Sequence, residues 1–125
     1  MVRILIVDDS TTFRQALLGI LCTQFPSMEF CQVAGGGEAL REIDLQRPDL
    51  IFMDINLPGE NGLVLTKEIK AKYPEITIII ITNYDLPEYR TAACQCGADY
   101  FVAKGSSTGE EIIALVGSVI ASAEG

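Results

Sequence analysis

Five polar residues of this 125-residue chain stand at the ends of apolar runs. Asp8 and Asp9 follow Ile4-Leu5-Ile6-Val7, and Asp54 follows Leu50-Ile51-Phe52-Met53. Thr82 follows Ile78-Ile79-Ile80-Ile81, and Lys104 comes directly after Phe101-Val102-Ala103. Gathered in one place, three carboxylates against one ammonium leave an excess of about two negative charges. Like charges at close range raise one another's pKa and work against the compact state, and a divalent cation offsets them. The donors are hard oxygens with no thiolate or imidazole among them, which suits Mg²⁺ or Ca²⁺ over Zn²⁺. No EF-hand loop is present. Few carboxylates on an open rim suit Mg²⁺, which keeps its waters and shares a phosphate.

Each residue alone has a plainer reading. Asp9 or Ser10 would cap a helix, Thr82 would shape a turn, Asp54 would be a loop acid and Lys104 a solvated lysine. The elements that carry them decide the matter. The pattern alternates strand and helix five times. Strands are predicted at Arg3–Val7, Glu29–Ala34, Asp49–Met53, Thr77–Ile81 and Asp99–Val102. Helices are predicted from Ser10 to before Pro26, around Ala39, Leu40 and Ile43 up to Pro48, and from Gly62 to Tyr73, stopped by Pro74. A fourth runs from Pro87 to Cys96 with Gly97 as its cap, and a fifth from Ser107 or Thr108 to Ser122. Gly35-Gly36-Gly37 reads as a turn. The first, third and fourth strands are apolar on consecutive residues, so both of their faces must be covered, as in a parallel sheet under helices. The expected fold is α/β: a single doubly wound (βα)5 domain over residues 1–125, with a central five-stranded parallel sheet and right-handed crossovers. Such sheets bind ligands beyond the carboxyl ends of their strands, which is where all five polar residues fall.

Composition removes several classes. A net charge of −8 argues against direct nucleic-acid binding. The absence of histidine excludes His-dependent nucleophilic catalysis and histidine metal sites, and means that the chain cannot itself carry a phosphohistidine. Cys22, Cys31, Cys94 and Cys96 lack zinc-ligand spacing and are expected to be small buried hydrophobes in a reducing compartment. No stretch approaches a membrane span and no signal peptide precedes the first strand, so the expected location is the cytoplasm.

The motifs around these residues carry a family resemblance that extends from Arg3 to about Ser122. They are Val7-Asp8-Asp9-Ser10, Met53-Asp54-Ile55-Asn56-Leu57-Pro58-Gly59-Glu60-Asn61-Gly62, Ile81-Thr82-Asn83, and Gly97-Ala98-Asp99-Tyr100-Phe101-Val102-Ala103-Lys104. Together they resemble the receiver domain of bacterial response regulators. The resemblance implies a flavodoxin-like strand order, 2-1-3-4-5. It implies that Asp54 accepts a phosphoryl group from the phosphohistidine of a sensor histidine kinase or phosphotransfer protein. Asp8, Asp9, Asp54 and the backbone carbonyl of Asn56 would hold Mg²⁺. Lys104 would pair with Asp54 and then with the phosphoryl oxygens, and the Thr82 hydroxyl would bond to the phosphoryl group once it arrives. Thr82 and Phe101 would form the switch, reporting phosphorylation through the surface of the fourth helix, fifth strand and fifth helix. Asn56, Asn83 and Tyr84 would tune the loss of the phosphoryl group.

Lys104 is followed by Gly105 where many receivers have proline, so the cis peptide that proline would allow is not expected there. That departure is similar to receivers that precede helix-turn-helix output domains, and such a domain would lie outside this chain. The fifth helix carries Glu110 and Glu111 but no Lys or Arg, so the expected state is a monomer or a weak phosphorylation-dependent dimer without charged pairs on that helix. Leu115 is expected on the outer side of the same helix. Three rival readings remain. A Mg²⁺-dependent phosphohydrolase with an aspartate nucleophile would place that residue after the first strand, with a second acid two residues on and a cap domain. A flavodoxin-like electron carrier would need a Ser/Thr-Gly phosphate loop where Asp8 and Asp9 stand. A degenerate receiver would act as a protein-binding module without phosphorylation, yet every key residue is present. An acceptor of this kind is not an enzyme in the usual sense, because it processes only its own phosphoryl group.

Overall fold

The computed structural model describes residues 2–124. Its elements in chain order are β1 (Arg3–Val7), α1 (Thr11–Gln24), β2 (Glu29–Val33), α2 (Gly36–Leu45), β3 (Leu50–Met53), β4 (Asn56–Leu57), β5 (Glu60–Asn61), α3 (Gly62–Lys72), β6 (Thr77–Thr82), α4 (Pro87–Gln95), β7 (Tyr100–Ala103) and α5 (Gly109–Glu124). The five long strands form one parallel sheet in the order β2-β1-β3-β6-β7. Among those five this is the 2-1-3-4-5 order.

The unbroken apolar runs follow from burial on both faces. Successive side chains of a strand point to opposite faces. Leu5, Val7, Ile51, Met53, Ile78 and Ile80 pack with Ala39 and Ile43 of α2, Leu63, Leu65 and Ile69 of α3 and Ala93 of α4. Their neighbours Ile4, Ile6, Leu50, Phe52, Ile79 and Ile81 pack with Leu17 and Leu21 of α1 and Ile112, Val116, Val119 and Ile120 of α5. The sheet is thus a shared wall between two cores.

Several expectations are corrected in detail. Ser10, not Asp9, caps α1: its side-chain oxygen accepts from the Phe13 amide at 3.2 Å. Ala34 and Asp49 lie just outside their strands. Asp49 instead accepts from the Arg3 amide through its carboxylate at 2.8 Å. Gly36 begins α2 rather than a turn, and Thr82 closes β6 rather than following it. The fifth helix starts at Gly109, fronted by a capping box in which the Glu111 amide donates to Thr108 Oγ1 at 3.1 Å and the Thr108 amide donates to Glu111 Oε1 at 3.4 Å. All four cysteines are free thiols, but Cys22 and Cys94 are exposed and Cys31 and Cys96 half-buried. The burial expectation fails because α1 and α4 bury narrow stripes, and Cys22 and Cys94 sit one residue past the buried Leu21 and Ala93, turned outward. Leu115 is half-buried against the α1–α5 core rather than outward. No peptide among the described residues is cis.

Candidate functional site

The sheet's own hydrogen bonds reach the site. Val7 is level with Met53, Met53 with Ile80, and Thr82 with Ala103. The ladder then continues one residue further: the Asp8 amide donates to the Val33 carbonyl at 3.1 Å, Asp54 to Val7 at 3.0 Å, and Lys104 to Thr82 at 2.8 Å. Three of the five polar residues are therefore fixed through their backbones to neighbouring strands, and Thr82 belongs to β6 itself. This answers why they converge: parallel strands in register end together.

Asp8 is fully buried, Thr82 is fully buried and Asp54 is nearly so, while Asp9 is exposed. One carboxylate oxygen from each of Asp8, Asp9 and Asp54 lies within 4.8 Å of the others. Lys104 faces them, with its Nζ 2.6 Å from Asp8 Oδ2 and 3.5 Å from Asp54 Oδ2. The expected Lys104–Asp54 pair is therefore present as the longer of two contacts, and Asp8 holds the ammonium more closely. The other oxygen of Asp8 accepts from the Ser10 amide at 2.9 Å. Burial pushes the Asp54 carboxyl above its ordinary pKa and the Asp8 charge adds to this, with Lys104, the Thr82 hydroxyl and the Ile55 amide pulling the other way. Asp54 thus sits where a further positive charge is favoured.

A cavity of about 240 Å³ opens over these groups, lined by Asp9, Ser10, Asp54, Asn56, Thr82, Asn83, Tyr84 and Lys104. Asn56 and Tyr84 meet across its mouth, where Asn56 Nδ2 donates to the Tyr84 hydroxyl at 3.4 Å. The Tyr84 amide donates to Thr82 Oγ1 at 3.3 Å, and its ring leans on Tyr89 with centroids 5.4 Å apart. Asn83 is exposed on the same rim. A larger cavity of about 390 Å³, lined by residues such as Glu75, Thr77 and Asp99, lies at the opposite end of the strands. It gathers no comparable set of charges, so chemistry rather than size marks the site.

The loop after β3 is held by features with little periodicity to announce them. Asn56–Leu57 and Glu60–Asn61 pair as a two-residue hairpin about Pro58-Gly59, where Gly59 takes φ +69°. Proline and then a positive-φ glycine is the pattern of a type II turn. Gly62 follows at the start of α3, its amide donating to the Ile55 carbonyl at 2.7 Å. A Cβ at Gly62 would overlap the Asp54 carbonyl oxygen, so α3 begins pressed against the backbone of Asp54. Phe101 of β7 is half-buried, with the Arg90 guanidinium 4.6 Å from its ring centre, and Arg90 is tied to Asp85 at 2.8 Å.

Two residues near the site lie on α1 and were not marked by strand-end reasoning. Arg14 donates to the Asp8 carbonyl at 2.5 Å and to Gln32 Oε1 at 2.9 Å, bracing the end of β1. The Phe13 ring centre lies 4.1 Å from Lys104 Nζ. An aromatic at helical spacing reads as core, so nothing in the pattern separates Phe13 from its apolar neighbours.

Comparison with known proteins bears on this arrangement. The family model described as the response regulator receiver domain matches residues 4–116. The oxygen regulatory protein NreC of Staphylococcus haemolyticus is 32% identical over 114 residues, covering 90% of this chain and 52% of that protein. A CheY-like receiver domain from Methanospirillum hungatei superposes with a TM-score of 0.89 at 27% identity, covering 99% of this chain and 97% of the other. A DNA-binding response regulator of the LuxR family from Staphylococcus aureus gives a TM-score of 0.86 at 27% identity, covering 95% and 98%. The chain spans about half the length of the curated relatives it matches. With its sheet order, its rim of acids and its sequence pattern in agreement, the chain belongs to the response regulator receiver domain family of two-component signalling.

Proposed function

We propose that this receiver takes a phosphoryl group on Asp54 in the presence of Mg²⁺, from the phosphohistidine of a sensor kinase or phosphotransfer protein, and passes the state to a partner or output domain outside this chain. The observation that carries the reading is the convergence of Asp8, Asp9 and Asp54 against a single lysine in one small cavity. The donor set is all oxygen, crowded and short of positive charge, which fits a hard divalent cation. Asp8, Asp9, Asp54 and the Asn56 carbonyl are the groups proposed to hold it. When bound, it neutralises charge on the transferring phosphoryl oxygens.

The chain's own part is positioning. Asp54 presents a carboxylate oxygen as the nucleophile from a backbone held by β1 and α3. Lys104 lies between Asp8 and Asp54, ready to move to a phosphoryl oxygen. Thr82, at the next strand end, offers a hydroxyl. Phosphorylation adds about −1.5 to −2 charges at the rim, and Thr82 turning toward them frees space beside β7 into which Phe101 turns. The surface of α4, β7 and α5 then carries the signal. Residues 1–125 act as one receiver unit, working in the cytoplasm as a phospho-acceptor rather than as an enzyme on a separate substrate. Among the described residues no helix is long and apolar enough to cross a membrane.

The test is incubation with acetyl phosphate, with and without Mg²⁺, read by intact mass beside Asp54→Ala. The expected result is one Mg²⁺-dependent phosphoryl adduct that is absent from the variant. No adduct under any condition would turn the reading toward a protein-binding module that works unphosphorylated. Mg²⁺ alone is also expected to raise the melting temperature, by an amount that corresponds to about 2.7 kcal/mol at a hundredfold excess over its Kd. Asp54→Asn should reduce that gain. Tyr84 and Asn56 close the cavity mouth, and Asn83 sits beside them, so these three are proposed to set how water reaches the acyl phosphate. Tyr84→Ala is expected to shorten the aspartyl-phosphate lifetime severalfold, followed by the decay of the adduct mass. An unchanged lifetime would remove the tyrosine from that role.

A further inference from the structure

We propose that Phe13 is a positioning residue for Lys104, the face of its ring holding the ammonium beside the acceptor carboxylate. The inference rests on the phospho-acceptor reading above. Lys104 Nζ lies 2.6 Å from Asp8 Oδ2, 3.5 Å from Asp54 Oδ2 and 4.1 Å from the Phe13 ring centre. Its side chain is only 10% exposed. An ammonium over an aromatic face is attracted by the ring quadrupole, more strongly where water is excluded.

The backbone of this lysine is held, its amide by the Thr82 carbonyl at 2.8 Å and the turn that follows by the Ser107 amide on the Ala103 carbonyl at 3.0 Å, but these bonds do not fix the side chain. The four-carbon stem is flexible. The Phe13 ring is half-buried and packs against the core of α1 and α5. Phe13 stands in the first turn of α1 with its amide bonded to Ser10 Oγ, and the Ser10 amide is bonded to Asp8. The ring, the helix cap and the buried carboxylate are therefore one connected unit.

The ring differs in kind from the other two partners. Asp8 and Asp54 are the groups proposed to hold a divalent cation, and a carboxylate shared with that cation attracts the ammonium less. The ring competes for no metal, so its hold on Lys104 persists when the carboxylates are engaged. The plainer alternative makes Phe13 one more apolar contact, for which leucine would serve as well.

The full chain with Phe13→Leu, Phe13→Tyr and ring-fluorinated phenylalanines at position 13 separates the two. Fluorination keeps the ring shape and weakens its negative face. With acetyl phosphate and Mg²⁺, Phe13→Tyr should phosphorylate near the wild-type rate. Phe13→Leu should be slower by about 3- to 10-fold, and the rate should fall stepwise with added fluorine. In the metal-free protein, the Lys104 Hε resonances should lie upfield of ordinary lysine and return toward it in Phe13→Leu. Wild-type rates across the fluorinated series, or Lys104 resonances that ignore Phe13→Leu, would overturn the inference while leaving the acceptor role intact. A wild-type protein that takes up no phosphoryl group would overturn both, and that failure is visible before any variant is made.

Discussion

Gly62→Ala is expected to lose about 3 kcal/mol of stability or more, and what folds should phosphorylate poorly. A Cβ at this position would lie 1.9 Å from the Asp54 carbonyl oxygen, 2.8 Å from its carbonyl carbon and 3.0 Å from the Ile55 Cα. All three are backbone atoms, so no side chain can swing aside. Relief requires α3 to back away from the β3 end, yet Leu63, Leu65 and Ile69 are buried in the core beneath it. The backbone angle is not the cause, because only Gly59 and Gly97 among the described glycines take positive φ. Urea unfolding with Gly19→Ala as the control checks this. Gly19 lies within α1 with no other part of the molecule where a Cβ would stand, so alanine there should stabilise by about 0.5–1 kcal/mol. Equal effects at the two positions would refute the close-approach argument.

Lys104→Met is the second large effect. Methionine keeps most of the stem but removes the ammonium that faces the fully buried Asp8 and the nearly buried Asp54. Breaking a buried pair by deleting one partner costs about 3 kcal/mol or more, since the remaining charge is left without compensation. The cost depends on pH in a definite direction. Burial already raises the Asp54 pKa above its unfolded value. Between the two values the folded chain holds more protons than the unfolded chain, so stability falls as pH rises through that window. Losing Lys104 removes one of the influences that lower this pKa and widens the window upward. The deficit of Lys104→Met should therefore be greatest at neutral pH and shrink as pH falls toward the ordinary carboxylate range. Mg²⁺ should recover part of it. Phosphorylation by acetyl phosphate should slow by about 100-fold or more. Denaturation at two pH values, with and without Mg²⁺, tests the whole chain of reasoning. A deficit that grew on acidification would contradict it.

β1, β3 and β6 were legible because burial on both faces leaves consecutive apolar residues, as in Ile78-Ile79-Ile80-Ile81, and the polar residue at the end of each run then marks the rim. What escaped was either too short or too tertiary. The hairpin of Asn56–Leu57 with Glu60–Asn61 has two residues a side, too few for any period. The capping box at Thr108 and Glu111 is a four-residue signal inside a polar loop, and only its hydrogen bonds set it apart from its neighbours. The preference of Lys104 for Asp8 over Asp54 is a difference of 0.9 Å between two contacts, which spacing along the chain does not encode. Phe13 and Arg14 approach the site from a helix rather than from a strand end. No rule about strand ends reaches them. Cys22 and Cys94 are exposed because the face of the helix, not the residue type, sets burial there.

The bond from Lys104 to Asp8 joins residues 96 apart in a chain of 125. A parallel sheet cannot bring these ends together early, because each strand must return by a crossover before it can pair. Such distant contacts are reached late and slowly in folding. Among the described residues β7, which delivers the lysine, lies at the sheet edge and pairs with β6 alone. Opening of this last unit by local unfolding would withdraw the ammonium and leave the acids facing one another while the rest of the sheet stood. The competence of the site is thus tied to the integrity of the C-terminal quarter of the chain, and amide exchange along β7 is its gauge.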